Sequence, residues 1–305
     1  MTWELPSRIS LREVGPRDGL QNEDPISTDA KVSLIDALSL TGVERIEAVA
    51  FVRPSAVPQM ADADEVWSRI CRSSSVRYSA LVPNLCGAVR ALGAGVTELE
   101  VVVSASQTHN LKNVNRTTGE SLDEIAAVLD MAHVRGAAVQ VIVSTAWGCP
   151  YEGDVPMERV VAVASRAVRD GATSVSFGDT TGMATPTRVR PLVGAFRDAN
   201  PGVPLNLHFH NTRGTGLANG LAALELGVAD FDASVGGLGG CPYAPGATGN
   251  VATEELVHMA EDMGIDTGIS LEALLAAAAE AERAVGHALP SQVLRAGPRT
   301  RTIFA

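Results

Sequence analysis

Val168-Arg-Asp-Gly171-Ala-Thr-Ser-Val-Ser-Phe-Gly178 decides the fold. It reads as the last turn of an amphipathic helix, a glycine that closes it, and a short strand that delivers Asp179 at its end. Glycine accepts the left-handed conformation that terminates a helix, so its position marks the join. The same grammar recurs at Leu40-Thr-Gly42-Val43, Leu92-Gly-Ala-Gly95-Val96, Val134-Arg-Gly136-Ala137 and Leu224-Glu-Leu-Gly227-Val228. Strands are expected near Ser10–Gly15, Arg45–Ala50, Val76–Leu81, Glu98–Ser104, Val139–Ser144, Ser174–Gly178, Leu205–His210 and Asp230–Ser234. About eight strands alternating with helices over roughly 250 residues is the requirement of an α/β (β/α)8 TIM barrel. The competitor, a doubly wound open sheet, would carry G-x-G-x-x-G after its first strand, and no such motif stands there.

The barrel is expected to occupy residues 1–285 as one catalytic domain, with residues 286–305 as a C-terminal tail. Leu271-Glu-Ala-Leu-Leu-Ala-Ala-Ala-Ala-Glu-Ala-Glu-Arg283 has strong helix propensity and reads as an extra packing helix. Pro290 to Ala305 is basic and turn-rich, which suits the surface. A chain of 305 residues that is 46% hydrophobic can bury a large core. Its formal net charge of -11 argues against a broad phosphate-binding face, so no nucleic acid is expected. Met1-Thr-Trp-Glu-Leu-Pro lacks the pattern of a secretory signal and no apolar run is long enough for a bilayer, so the expectation is a cytoplasmic protein with no membrane partner. Cys71, Cys86, Cys149 and Cys241 show no C-x-x-C spacing and suggest neither a zinc knot nor a disulfide framework.

In a barrel the chemistry gathers at the carboxyl ends of the strands. The residues expected there include Asp18, Glu47, Asn84, Ser104, Ser144, Asp179, His208 and His210. Residues two apart on a strand project the same way, so His208-Phe-His210 has a metal-ligand spacing. Asp18 would complete a face of two imidazoles and a carboxylate, which suits a divalent ion with open positions. Asn250 could add an amide oxygen or could cap the helix that Val251-Ala-Thr-Glu-Glu-Leu begins.

Arg17, beside Asp18, could form a plain salt bridge or hold a developing oxyanion at the mouth. Glu13, Glu47 and Asp179 are candidates to orient the arginine and the histidines. Cys241 sits in the permissive run Gly236-Gly-Leu-Gly-Gly-Cys-Pro-Tyr243, which could bring a thiol to a ligand. Gly148-Cys-Pro-Tyr151 repeats part of that run, so the tetrapeptide alone is not diagnostic. The polar stretch Asn110, Lys112, Asn113, Asn115 and Arg116 could meet an acyl chain or a coenzyme, or lie in a solvated loop.

Several longer motifs then carry a resemblance. Glu13-Val-Gly-Pro-Arg-Asp-Gly-Leu-Gln-Asn-Glu23, Val57-Pro-Gln-Met-Ala-Asp62, Val82-Pro-Asn84, Gly148-Cys-Pro-Tyr-Glu-Gly153, Gly178-Asp-Thr180, His208-x-His210 and Gly237-Leu-Gly-Gly-Cys-Pro-Tyr243 with Gly249-Asn250 occur in order. Together they resemble the 3-hydroxy-3-methylglutaryl-coenzyme A lyase family. The resemblance implies a metal-dependent barrel lyase, with magnesium or manganese on Asp18, His208, His210 and Asn250. It also implies Arg17 as the enolate-stabilising cation, Cys241 as the loop-borne acid/base residue, and Glu13, Glu47 and Asp179 as supports. The implied reaction is a retro-Claisen cleavage of the acyl-CoA to acetoacetate and acetyl-CoA. His210-Asn211-Thr212-Arg213 departs from the family pattern of Asp after the second histidine and Tyr two positions later. A related substrate such as citramalyl-CoA is therefore an alternative. Two other classes are a non-haem iron oxygenase, which shares the two-histidine carboxylate set, and a non-catalytic binding barrel. A homo-oligomer is possible on the apolar faces of outer helices.

Overall fold

The computed structural model describes residues 5–240 and 249–301. Eight parallel strands close in sequence order, with β8 pairing back to β1. They are β1 Ser10–Glu13, β2 Arg45–Ala50, β3 Arg77–Leu81, β4 Glu98–Ser104, β5 Ala138–Ser144, β6 Ser174–Gly178, β7 Leu205–His208 and β8 Asp230–Ala233. The outer layer comprises α1 Thr28–Ser39, α2 Ala63–Arg69, α3 Leu85–Gly93, α4 Gln107–Val114, α5 Thr118–Val134, α6 Met157–Arg169, α7 Pro186–Ala199, α8 Gly216–Leu224 and α9 Thr253–Asp262. This is the TIM barrel expected from the glycine joins. All five of those glycines have positive φ, from 67° at Gly136 to 108° at Gly171. At Gly42 the requirement is double, because φ is 94° and a Cβ would lie 2.3 Å from the Gly268 carbonyl oxygen.

The extra helix is α10 Leu271–Val285, which lies against α1 and buries Leu274, Ala277, Ala278 and Ala281. The tail is less irregular than its composition suggests, since α11 Gln292–Ala296 forms beyond Pro290. Ser291 makes that turn possible by accepting from the Leu294 amide, at 3.2 Å. Among the described residues no helix is long and apolar enough to cross a membrane.

The strands obey the two-residue alternation, and this decides what reaches the bore. Leu11, Ile46, Leu99, Val139, Val175 and Phe231 are buried in the apolar core. Their neighbours Arg12, Glu47, Glu100, Gln140, Ser176 and Asp232 are buried too, although polar. Arg12 spans the interior, pairing with Glu100 on β4 and Asp232 on β8. The bore is therefore filled by matched charge and amides instead of by branched apolar layers.

Candidate metal centre at the carboxyl mouth

Beyond β1 the chain enters a π-helical turn, Gly15–Gly19, in which the amides of Arg17, Asp18 and Gly19 all donate to the Val14 carbonyl. The turn presents Arg17 and Asp18 to the mouth. β7 ends at His208, two residues before the expected end, because the next backbone groups change partners. Val251 N donates to Phe209 O at 3.2 Å and Asn211 N to Gly249 O at 2.6 Å, forming an antiparallel bridge between His210 and Asn250. The alternation survives this switch. The His208 and His210 rings lie 5.2 Å apart, centroid to centroid.

One atom each from Asp18, His208 and His210 lies within 4.8 Å of the other two. Two ligand atoms about 2.1 Å from one small ion can be no more than about 4.2 Å apart. The 4.0 Å between His208 Nε2 and Asp18 Oδ2 already meets that limit. The tautomers also fit, although Asp232 and Asp18 raise the pKa of His208 and so favour a proton that a cation would displace. His208 Nδ1 faces Asp232 Oδ2 at 3.3 Å, which favours a proton on Nδ1 and a lone pair on Nε2. Burial pushes His210 down to about 3, so its imidazole is neutral at ordinary pH. Burial would raise the Asp18 carboxyl, but Arg17 beside it, the first of the opposing charges, holds it at about 2.

Asn250 does not cap α9, whose cap is Ala252. Its Nδ2 donates to Asp18 Oδ2 at 2.9 Å and to Leu238 O at 3.0 Å. Reversing the amide would set its oxygen against two acceptors. The orientation thus leaves Oδ1 buried without a hydrogen-bond partner, and His210 Nδ1 is likewise unpartnered. Such orphaned lone pairs beside a low-lying carboxylate fit a hard divalent cation.

Arg17 donates through Nη1 to Asp18 Oδ1 at 2.7 Å and through Nη2 to Glu47 Oε2 at 2.6 Å. Its Nε is buried and unpartnered. Asp179 Oδ1 accepts from the amides of Met183 and Ala184 at 2.8 and 3.0 Å, and its buried Oδ2 has no hydrogen-bond partner. It thereby shapes the turn after β6. Glu13 does not orient Arg17 or the histidines. Arg12 points into the bore, so alternation turns Glu13 outward, where it accepts from Gly15 N at 2.7 Å, Val235 N at 2.8 Å and Thr253 Oγ1 at 2.6 Å. It ties the first turn to the chain after β8. Cys241 lies outside the described residues.

Asn110 is not in a solvated loop. It sits in α4, buried, accepting from Ser104 N at 2.9 Å and donating to the Arg116 and Thr117 carbonyls at 2.8 and 3.0 Å. Asn84 caps α3 by accepting from Gly87 N at 3.0 Å. The departures after His210 also have local work. The Asn211 side chain accepts from Gly216 N at 3.2 Å, and Arg213 donates to the Thr181 and Gly182 carbonyls at 2.6 and 3.1 Å. Arg213 thus clamps the turn that follows Asp179. Reading only strand ends missed Asp232, which holds His208, together with Arg12 and Glu100 behind it. The available signal was a charge on the inward position of three strands, in Ser10-Leu-Arg12, Glu98-Leu-Glu100 and Asp230-Phe-Asp232.

A closed barrel with a carboxylate and two imidazoles converging at its carboxyl mouth defines a barrel enzyme with a prospective cation centre. The chain belongs to the HMGL-like family, whose profile matches residues 8–280. It is 46% identical over 291 residues to a hydroxymethylglutaryl-CoA lyase of Bacillus subtilis, covering 95% of this chain and 97% of that one. It is 42% identical over 301 residues to an (R)-citramalyl-CoA lyase of Chloroflexus aurantiacus, covering 95% of each. The structure superposes with a TM-score of 0.94 on an HMG-CoA lyase of Acinetobacter baumannii in complex with coenzyme A and 3-methylmalate, at 42% identity and 98% coverage of each chain.

Proposed function

We propose that this chain is a carbon–carbon lyase that cleaves 3-hydroxy-3-methylglutaryl-CoA to acetoacetate and acetyl-CoA. The observation that carries the reading is the convergence of Asp18, His208 and His210 beside a buried arginine, in a chain of the HMGL-like family. Asp18, His208, His210 and the Asn250 amide oxygen would hold magnesium or manganese. The oxygen-bearing part of that set favours a hard ion over tetrahedral zinc. When bound, the ion would supply Lewis acidity that lowers the pKa of the substrate's C3 hydroxyl.

The chain's own groups account for the remaining demands. Transfer of the hydroxyl proton to a base turns C3 into a ketone as the C2–C3 bond breaks, and the electron pair of that bond passes to C2 as an enolate. Arg17 is fixed by two carboxylates and has Nε left to donate, so it can stabilise the thioester oxygen as that oxygen gains charge. Glu47 holds the guanidinium in place, and Asp232 holds His208. Cys241 is the proposed acid that protonates C2, which completes acetyl-CoA.

Citramalyl-CoA is the second reading, favoured by the similarity to a citramalyl-CoA lyase. The test is to incubate purified protein and magnesium with a panel of 3-hydroxyacyl thioesters under air and under nitrogen. The expected result is acetoacetate and acetyl-CoA in equal amounts, independent of oxygen. Pyruvate and acetyl-CoA from citramalyl-CoA alone would establish the second reading. Turnover that needs oxygen would point to an iron oxygenase, and retained ligand without product to a binding barrel.

A further inference from the structure

Three neighbouring strands carry one continuous row of polar side chains. Register sets Arg12 of β1 opposite Asp232 of β8, and Asp232 opposite His208 of β7, so the three stand at one level of the barrel. Arg12 Nε donates to Asp232 Oδ1 at 2.9 Å and Nη2 to Asp232 Oδ2 at 2.8 Å. The third guanidinium nitrogen, Nη1, pairs with Glu100 across the bore. Asp232 Oδ2 also faces His208 Nδ1 at 3.3 Å, which places the aspartate between the arginine and a prospective metal ligand. The side chains of Arg12, Glu100 and Asp232 are only 3%, 4% and 2% exposed.

Stability does not account for this row. Taking a guanidinium and two carboxylates out of water costs about as much as their attraction returns, and apolar side chains of similar volume commonly serve as well. What the arrangement supplies is direction. A carboxylate held by one donor can still turn about its Cβ–Cγ bond, whereas a planar two-pronged grip fixes both of its oxygens. Glu100 holds the far side of the guanidinium, so the fork itself is anchored from β4. The fixed Oδ2 then sets where His208 Nδ1 points, and the opposite ring nitrogen, Nε2, is left toward Asp18. A cation site needs its ligands aimed before the ion arrives. We propose that Arg12 is a positioning residue for the cation centre: its fork locks Asp232, and Asp232 aims His208. This rests on the reading of the carboxyl mouth as a metal site.

Manganese binding to the full chain, measured by calorimetry without substrate, tests it. Arg12→Lys keeps a cation in the bore but has no fork, and should weaken binding about tenfold, the lower end of the losses found for groups that steady a metal-bound histidine. Arg12→Met combined with Glu100→Met removes one charge of each sign. That double variant should unfold at a denaturant concentration near that of the unaltered protein, yet still bind manganese about tenfold more weakly. Glu100→Gln alone leaves the fork on Asp232 and should bind within about twofold of the unaltered protein. Binding that is not weakened in either folded Arg12 variant would overturn the proposal, because a merely structural arginine predicts that affinity returns with stability. Should the double variant misfold, Arg12→Lys decides the matter. An unaltered protein that takes up no manganese would instead overturn the metal reading, and this inference with it.

Discussion

Two buried polar clusters share one barrel and follow opposite rules. In the bore, Arg12 is matched against Glu100 and Asp232, so the charges largely satisfy one another. At the carboxyl mouth, Asp18, His208, His210 and Asn250 crowd acceptors together, and the Asn250 oxygen and one His210 nitrogen lack a partner. The first arrangement carries its own cation, Arg12, whereas the second calls for one. Asp232 belongs to both, holding Arg12 with two hydrogen bonds and His208 with one. The difference teaches that burial alone does not mark a functional charge; an unbalanced donor and acceptor count does.

The sharpest way to break this contrast is Asp18→Ala. Removing the carboxylate should abolish stoichiometric metal binding by calorimetry and lower turnover by roughly 10³-fold or more, since Lewis-acid stabilisation is worth several kcal/mol. Circular dichroism should remain unchanged, and full metal binding in this variant would refute the assigned centre. Arg17→Gln should instead separate metal from chemistry. Metal affinity is expected to persist while kcat falls about 10²–10³-fold, the loss typical of one oxyanion donor. An unaltered kcat would remove Arg17 from the reaction.

In the bore the expected loss is of stability. Arg12→Met leaves two buried carboxylates uncompensated and should cost about 3–5 kcal/mol in denaturant unfolding. A cost below about 1 kcal/mol would show that the carboxylates find other relief. Asp232→Asn probes the shared residue: metal affinity should drop about 10–100-fold through the loosened His208, with a smaller loss of stability because the amide oxygen can still accept from Arg12. Unchanged affinity would sever the two clusters.

The smallest effect concerns pH. Glu254 is fully buried, accepts from Gly236 N, and burial pushes its carboxyl up to about 8; Glu13 is likewise raised to about 7. The native state therefore keeps protons that the unfolded chain releases near pH 4.3. Their contribution is full below that value and is lost as pH rises through about 7 and 8. Thermal midpoints of the metal-free protein should fall across this window, and Glu254→Gln should flatten the fall. A midpoint that instead rises with pH in the variant-sensitive range would contradict the burial argument.

How far the sequence was legible follows from the physics of each region. The bounds of β2, β4 and β6 agree residue for residue with the expected Arg45–Ala50, Glu98–Ser104 and Ser174–Gly178, because glycine joins and apolar alternation are local signals. β7 came out shorter, because the partner that takes over after His208 lies some 40 residues away, at Asn250 and Val251. Asp18 and the histidine pair stood out by chemistry and spacing. Glu13 and Asp232 did not separate, since their roles turn on which face of the strand they occupy. A one-residue difference in phase sends Glu13 outward and Arg12 inward. Asn110 looked solvated only because its four partners are backbone and hydroxyl groups that composition does not display.

The ion chain of Arg12, Glu100 and Asp232 does more than hold charge. It links the two ends of the barrel, since Arg12 and Glu100 line a cavity at the amino end and Asp232 holds His208 at the carboxyl end.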